Sequence, residues 1–334
     1  MQEMEKKFKA LMLEQEDGEL MAEIRQLSLQ DLPAQGVLVR VHYSSLNYKD
    51  ALAITGKGKV VRSFPMIPGI DLAGVIVEPA DSQFKVGDEV VSTGWGAGEE
   101  HWGGLGQYAK LDADWPLPVP DGMDMRSTMV IGTAGLTAAF CTLAIQDHGI
   151  RPQDGPVLVS GAGGGVGSVS IVLLARLGYE VHAISGREDL HPYLHKLGAA
   201  EVRHRNEFSR ESKPLEKASW AAAVDTVGGD TLATLLAQVR PDGIVAACGN
   251  AGGMQLHTTV FPFILRGVTL QGISSVYAEM ARRERAWKLI AENIPTDYYA
   301  YLTNHEISLN EVVKTSDELL NGRIQGRVIV NMLG

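Results

Sequence analysis

The stretch Val157-Leu158-Val159-Ser160-Gly161-Ala162-Gly163-Gly164-Gly165-Val166-Gly167 decides the fold. A short apolar run ends in glycines, and Val169 to Leu177 then continues as an apolar helix closed by Gly178. That context gives the motif its specificity. The early glycine lets the chain turn off a buried strand, the middle ones let backbone approach a pyrophosphate, and the last permits close helix–sheet packing. The helix start then offers unpaired N–H groups and a positive dipole end to phosphate. Gly164, Gly165, Val166, Gly167 and Ser168 are therefore the expected dinucleotide-binding residues.

Downstream, apolar runs and helical patterns alternate: Glu180 to Ser185, Leu190 to Leu197, Ala221 to Asp225, Ile244 to Cys248 and Thr269 to Ile273. This rhythm predicts a parallel, doubly wound sheet, with ligands at the carboxyl ends of its strands. The second strand ends Ser185-Gly186-Arg187, with no acid at its tip for a ribose 2′-hydroxyl. A hydroxyl, a flexible turn and a guanidinium suit a 2′-phosphate instead, so the expected cofactor is NADPH, with Ser185 and Arg187 in contact. Glu188 and Asp189 read as acids at a helix start. Asn250 and Cys248 end another strand and are candidates beside the nicotinamide, whereas Asp225 equally suits a cap on its following turn.

Upstream of Gly132 the pattern is different. Val37 to Tyr43 alternates, Ile70 to Glu78 is interrupted by Gly74, and Val86-Gly87-Asp88-Glu89-Val90-Val91 runs from a turn into a strand. Short strands among Gly and Pro predict an antiparallel sheet or partial barrel. A charged amphipathic helix over Ala278 to Glu292, a second ending at Asn321 and a strand over Gly326 to Asn331 suggest a return to this first domain after about residue 275. The expected domains are 1–131 plus 276–334, and 132–275.

A chain of 334 residues suits two domains. Its net charge of −10 argues against nucleic acid and anionic membranes as partners. Two cysteines, Cys141 and Cys248, cannot make a four-thiolate zinc site and read as buried free thiols. The charged start lacks a signal-peptide core, and no apolar run is read as reaching the ~20 residues of a membrane span, so a cytoplasmic protein is expected.

Several motifs together resemble the medium-chain dehydrogenase/reductase superfamily: Pro68-Gly69-Ile70-Asp71-Leu72-Ala73-Gly74, Val86 to Val90, Gly132-Thr133-Ala134-Gly135-Leu136-Thr137-Ala138, the glycine loop and Gly326 to Val330. Ser44 to Lys59, Gly94-Trp95-Gly96 with His101-Trp102-Gly103-Gly104, Ser185 to Glu188 and Pro262 to Arg266 are similar to its quinone-oxidoreductase-like group, which includes acrylyl-CoA reductase. The resemblance implies a GroES-like β-rich catalytic domain, a Rossmann cofactor domain, and a homodimer formed through the edge strand at 268–273. It also places Asn47 and Ile70 where the zinc alcohol dehydrogenases carry a Cys and a His. Ile70 cannot ligate and an amide is a poor zinc ligand, so no metal is expected. Among nine histidines only His191 and His195 have helical ligand spacing, and they read as surface residues.

Zinc-free relatives reduce activated double bonds, which implies hydride delivery to the β-carbon of an unsaturated thioester, most concretely acrylyl-CoA to propionyl-CoA. Tyr48, beside the lost metal position, is the expected O–H donor to the carbonyl oxygen and a cofactor neighbour, with the Asn47 amide as a second donor. Lys57, Lys59 and Arg62 are candidates for coenzyme A phosphates, and Trp95 for a pocket wall; a solvated basic loop and a core aromatic are the plain alternatives. A quinone or alkenal reductase is the other enzyme reading, and an NADPH-binding regulator or structural protein the non-enzyme one.

Overall fold

The structure, a computed structural model, describes residues 7–334. Strands β1 (Lys7–Glu16), β2 (Glu19–Ser28) and β3 (Val37–Leu46) lead to helix α1 (Tyr48–Thr55), then to β4 (Asp71–Glu78), β5 (Glu89–Thr93), β6 (Tyr108–Leu111), β7 (Leu117–Pro118) and the long helix α2 (Met125–Asp147). There follow β8 (Val157–Val159), α3 (Gly165–Arg176), β9 (Val181–Ser185), α4 (His191–Leu197), β10 (Glu201–His204), β11 (Trp220–Asp225), α5 (Gly229–Gln238), β12 (Val239–Ala247), α6 (Phe261–Arg266) and β13 (Thr269–Gly272). The chain ends with α7 (Met280–Asn293), α8 (Thr296–Leu302), β14 (Thr303–Ser308), α9 (Val312–Leu320) and β15 (Arg327–Asn331). It divides into two compact units, Met1–Thr133 with Thr303–Gly334, and Ala134–Leu302.

The first unit is built on a seven-stranded sheet in the order β14-β15-β3-β4-β5-β7, with β6 also pairing β3. All of its pairings are antiparallel except that of β14 with β15. Its core takes Val37, Val39 and Val41 from β3, Leu72 and Ile76 from β4, and Val328 and Val330 from β15. The hairpin β1–β2 adds Leu11 and Leu13 to that core and Phe8, Ala10 and Met12 to a second cluster.

The second unit carries a six-stranded parallel sheet in the order β10-β9-β8-β11-β12-β13. The expected doubly wound rhythm is present, and β13 lies at one edge. Two readings of the sequence need correction. Residues 276–302 group with this unit and not with the first, so the return falls at Thr303. The reason is local anchoring: α7 and α8 both pack on α3. Arg283, 1% exposed, donates from Nε to the Ala278 carbonyl at 2.8 Å and from Nη2 to those of Ser275 and Val276. A charged helix that looks amphipathic in sequence is thus pinned from its buried face.

The second correction concerns α2. At 23 residues it is long and apolar enough to cross a membrane, yet 94% of its most apolar window is buried inside the protein. Gly132, at φ 51° and ψ −160°, breaks it into two helical pieces. Small buried residues such as Ala134, Ala138, Ala139 and Cys141 let it serve as core.

Candidate active site

In the first unit, β3 delivers the chain to Asn47, the N-cap of α1, and Tyr48 is the first helical residue. Tyr48 is 46% exposed and its hydroxyl makes no hydrogen bond among the described residues, so an O–H donor is presented outward. Asn47 is placed otherwise. It is 7% exposed, its Nδ2 donates to Asp71 Oδ2 at 2.8 Å, to Asp50 Oδ2 at 3.1 Å and to Ser45 Oγ at 3.3 Å, and its Oδ1 accepts from Arg327 Nη1 at 3.1 Å. Both amide hydrogens are committed internally, which corrects the expectation that this amide donates to substrate. Asn47 instead fixes the start of the helix that carries Tyr48.

The group around Asn47 was not foreseen as a unit. Asp71 also accepts from Ser45 Oγ at 2.7 Å, from Thr133 N at 2.9 Å and from Thr133 Oγ1 at 2.5 Å. Arg327 reaches the Val130 carbonyl through Nε and Ser45 Oγ through Nη2, at 3.0 and 2.9 Å, and lies 3.9 Å from Asp71 Oδ2. Asp50 accepts from the backbone N–H of Asn47 and of Ile70, both at 2.9 Å. One buried guanidinium therefore faces two buried carboxylates. Burial first, and the neighbouring Asp71 carboxylate second, push Asp50 up to about 7, while burial lowers Arg327. The signal for this cluster lay in charges inside apolar strands, Asp71 before Leu72-Ala73 and Arg327 before Val328-Ile329-Val330.

Lys57 Nζ pairs with Asp317 Oδ1 at 2.9 Å, so one of the three cations of the basic loop already has an acidic partner. Lys59 and Arg62 are exposed. Trp95 is half-buried and stacks on Trp115 with ring centroids 6.3 Å apart, so it fills an aromatic layer. Trp102 donates its indole N–H to the Pro65 carbonyl and packs against the core.

In the second unit the glycine loop fits a dinucleotide. A Cβ on Gly167 would sit 2.3 Å from the Gly161 carbonyl oxygen and 2.7 Å from the Ala162 Cα, so the loop closes only around glycine. The N-cap Gly164 supplies no side-chain cap to α3, which leaves the first-turn N–H groups of Gly165, Val166 and Gly167 available to an anion. Ser168, by contrast, is fully buried, and its hydroxyl donates to the Gly165 carbonyl at 3.2 Å. Tyr193 lies half-buried beside it, and burial of its hydroxyl pushes that group up to about 12.

Asp225 is the hub of the neighbouring strand ends. It accepts from Ser160 Oγ at 2.6 Å, Gly228 N at 2.8 Å and Val227 N at 3.3 Å, and burial raises its carboxyl. It caps its own turn, one of the two roles its position allowed. Ser185, 8% exposed, accepts from Arg187 N at 3.1 Å. The Arg187 guanidinium pairs with Asp189, Nη2 to Oδ2 at 2.7 Å, so Asp189 is a partner of that arginine as well as a helix-start acid. Asn250 is exposed past the end of β12. Cys141 is a buried free thiol and Cys248 a half-buried one, donating to the Asp225 carbonyl at 3.4 Å.

Residues 33–121 match the alcohol dehydrogenase GroES-like domain and residues 165–292 the family described as zinc-binding dehydrogenase. A relative in Escherichia coli K12, named "Probable acrylyl-CoA reductase AcuI", is 52% identical over 325 residues, 97% of this chain and 100% of its own. The acrylyl-CoA reductase AcuI of Ruegeria pomeroyi is 47% identical over 97% of this chain and 99% of its own length. The chain belongs to the acrylyl-CoA reductase group of the medium-chain dehydrogenase/reductases. A solved structure of a member of this group, the yhdH oxidoreductase of Salmonella enterica in complex with NADP, superposes with a TM-score of 0.94 at 53% identity, covering 97% of this chain and 99% of that one. The fold expected from the glycine loop and the strand rhythm is thus the group's fold. Within it, the zinc named in the second family description has no ligand set at 47 and 70, where Asn47 is locked by carboxylates and Ile70 is apolar.

Proposed function

We propose that this protein is an NADPH-dependent reductase of activated carbon–carbon double bonds that converts acrylyl-CoA to propionyl-CoA. The observation that carries the reading is the strand end Ser185-Gly186-Arg187 beside an uncapped, glycine-built helix start, in a chain half identical to named acrylyl-CoA reductases. Gly165, Val166 and Gly167 would bind the pyrophosphate through backbone N–H groups, Ser185 and Arg187 the 2′-phosphate, and Asn250 would line the nicotinamide end. When bound, NADPH supplies a hydride to the β-carbon. Tyr48 donates its O–H to the carbonyl oxygen, where negative charge builds as the thioester becomes an enolate. Asn47, Asp50, Asp71 and Arg327 hold the helix that aims it. Water or a side-chain acid then protonates the α-carbon.

The pairing of Lys57 with Asp317 favours a second reading in part, a quinone or alkenal reductase that needs no coenzyme A cradle. Following NADPH oxidation with acrylyl-CoA, crotonyl-CoA and a simple quinone side by side decides between them. The expected result is a strong preference for acrylyl-CoA, with Tyr48→Phe lowering kcat by about ten- to a hundredfold. Preference for the quinone would overturn the thioester reading, and unchanged turnover in Tyr48→Phe would remove its role.

The same proposal includes a homodimer in the cytoplasm. Among the described residues edge strand β13 has an unpaired side, and α6 with its N-cap residue exposes Val260, Phe261, Ile264 and Leu265, with Ile264 at 67%.

A further inference from the structure

The two cysteines take no part in the reaction proposed above, yet the fold of the second unit brings them together. Cys141 lies on α2 and is fully buried. Cys248 follows the last residue of β12, at the carboxyl end of the parallel sheet, and is half-buried. Their thiols hydrogen-bond each other. The Cys248 thiol also donates to the Asp225 carbonyl oxygen at 3.4 Å, so its sulfur is left to accept from Cys141.

Hydrogen bonding to Cys248 and then burial push the Cys141 thiol well up, so it keeps its proton, and the charged groups that face it are Arg282 and Asp225. A lone buried cysteine passes for a small apolar residue. A pair in contact, with one member partly open to the surface, has instead the arrangement of an attacking and a resolving thiol.

We propose that Cys141 and Cys248 form a redox modification site, in which a peroxide joins them in a disulfide within one chain, a dithiol reopens it, and the closed form holds NADPH less tightly. The Cys248 sulfur attacks one peroxide oxygen, the O–O bond breaks, and the Cys248 proton leaves with the departing oxygen as water. A sulfenic acid remains. The Cys141 sulfur then attacks the Cys248 sulfur, the S–O bond breaks, and the departing hydroxide takes the proton that Cys141 has kept. Two thiols and one hydrogen peroxide become one disulfide and two waters.

The consequence falls on the strand ends that face the cofactor. Cys248 N donates to the Asp225 carbonyl at 2.8 Å, and a Cβ on Gly249 would stand 2.3 Å from the Thr226 carbonyl oxygen, so this segment is packed tightly on its neighbour. An S–S bond is shorter than a thiol hydrogen bond, so closure draws the Cys248 sulfur away from Asp225 toward α2 and shifts the turn that carries Asn250.

The test treats the full-length protein with hydrogen peroxide, alkylates the remaining thiols in denaturant, and reads the intact mass and a non-reducing peptide map. The wild type should lose two hydrogens, take up no alkyl group and yield one linked peptide pair joining Cys141 to Cys248, while running as a single chain on a non-reducing denaturing gel. Dithiothreitol should restore both thiols. NADPH affinity, titrated by fluorescence, should fall about tenfold or more on oxidation and return on reduction. Cys141→Ala should stop at an oxidised Cys248 that dimedone traps, and Cys248→Ser should leave Cys141 unoxidised, because the half-buried thiol that meets the oxidant is gone. Two alkylated thiols after peroxide, an oxidised Cys248 without the linked peptides in the wild type, or a cross-link between two chains would each overturn the proposal. So would a Cys141–Cys248 disulfide that leaves NADPH affinity unchanged.

Discussion

Asp50 is a buried carboxylate with three N–H donors and a second carboxylate close by. Its hydrogen bonds favour the ion, while burial and Asp71 oppose it, and the opposition prevails, pushing it up to about 7. The native state therefore binds this proton more tightly than the unfolded chain, whose carboxyl titrates near 4. Between those values the native state holds more protons, so this group takes stability away as pH rises from about 4 to about 7, and adds nothing further above that window. Asp50→Asn has no such titration. The unfolding free energy of the wild type minus that of Asp50→Asn, from urea titrations at steps between pH 4.5 and 8, should fall by on the order of a few kcal/mol across the window. A flat difference would mean that Asp50 remains ionised throughout, held by its donors. Arg327 carries the complementary logic: with its guanidinium gone, two buried carboxylates would face each other uncompensated, the situation in which broken buried pairs are most destabilising.

At the scale of elements, the glycine loop shows how a local rule becomes a binding site. Gly167 meets backbone atoms of Gly161 and Ala162, which cannot move aside as a side-chain tip can. Gly167→Ala should push α3 off the end of β8, weakening NADPH binding measured by titration by about a hundredfold or more and lowering the melting temperature by several degrees; wild-type affinity would show that the loop relaxes freely. This part of the molecule was legible in sequence because strand, turn and helix are contiguous and each glycine has a stated steric reason. So were β3, β4 and β15, whose alternation is set by one buried face. The return point at Thr303 was not legible, because it depends on Arg283 finding carbonyls at Ser275, Val276 and Ala278, which no periodicity announces. Nor was the commitment of Asn47: its partners Asp71 and Arg327 lie 24 and 280 residues away in the chain. The substrate residues were the least legible, since a basic loop looks the same in sequence whether its lysine faces a ligand or, as Lys57 does, an aspartate.

For the whole molecule, the question is what covers the apolar edge of the second unit. Among the described residues strand β13 is paired on one side only, by β12, and four residues of the adjoining segment expose large apolar side chains: Val260 at 61%, Phe261 at 44%, Ile264 at 67% and Leu265 at 61%. Scattered exposed leucines need no explanation, but a patch beside an open strand edge is a hazard that soluble proteins cover. In the proposed dimer, a second copy related by a two-fold axis would pair edge with edge and apolar patch with apolar patch, and close the assembly. With a net charge of −10 per chain, two copies repel at long range, so the contact must be carried by apolar burial and strand hydrogen bonds, and dimerisation should persist or strengthen as salt is raised. Sedimentation equilibrium at micromolar concentration should therefore give about twice the 36.0 kDa chain mass in low and high salt. Ile264→Glu with Leu265→Glu, which adds charges on a surface already outside the core, should shift the mass toward the monomer while leaving NADPH binding within about twofold. A wild type that sediments at the chain mass would refute the two-fold contact and leave this patch to another occupant.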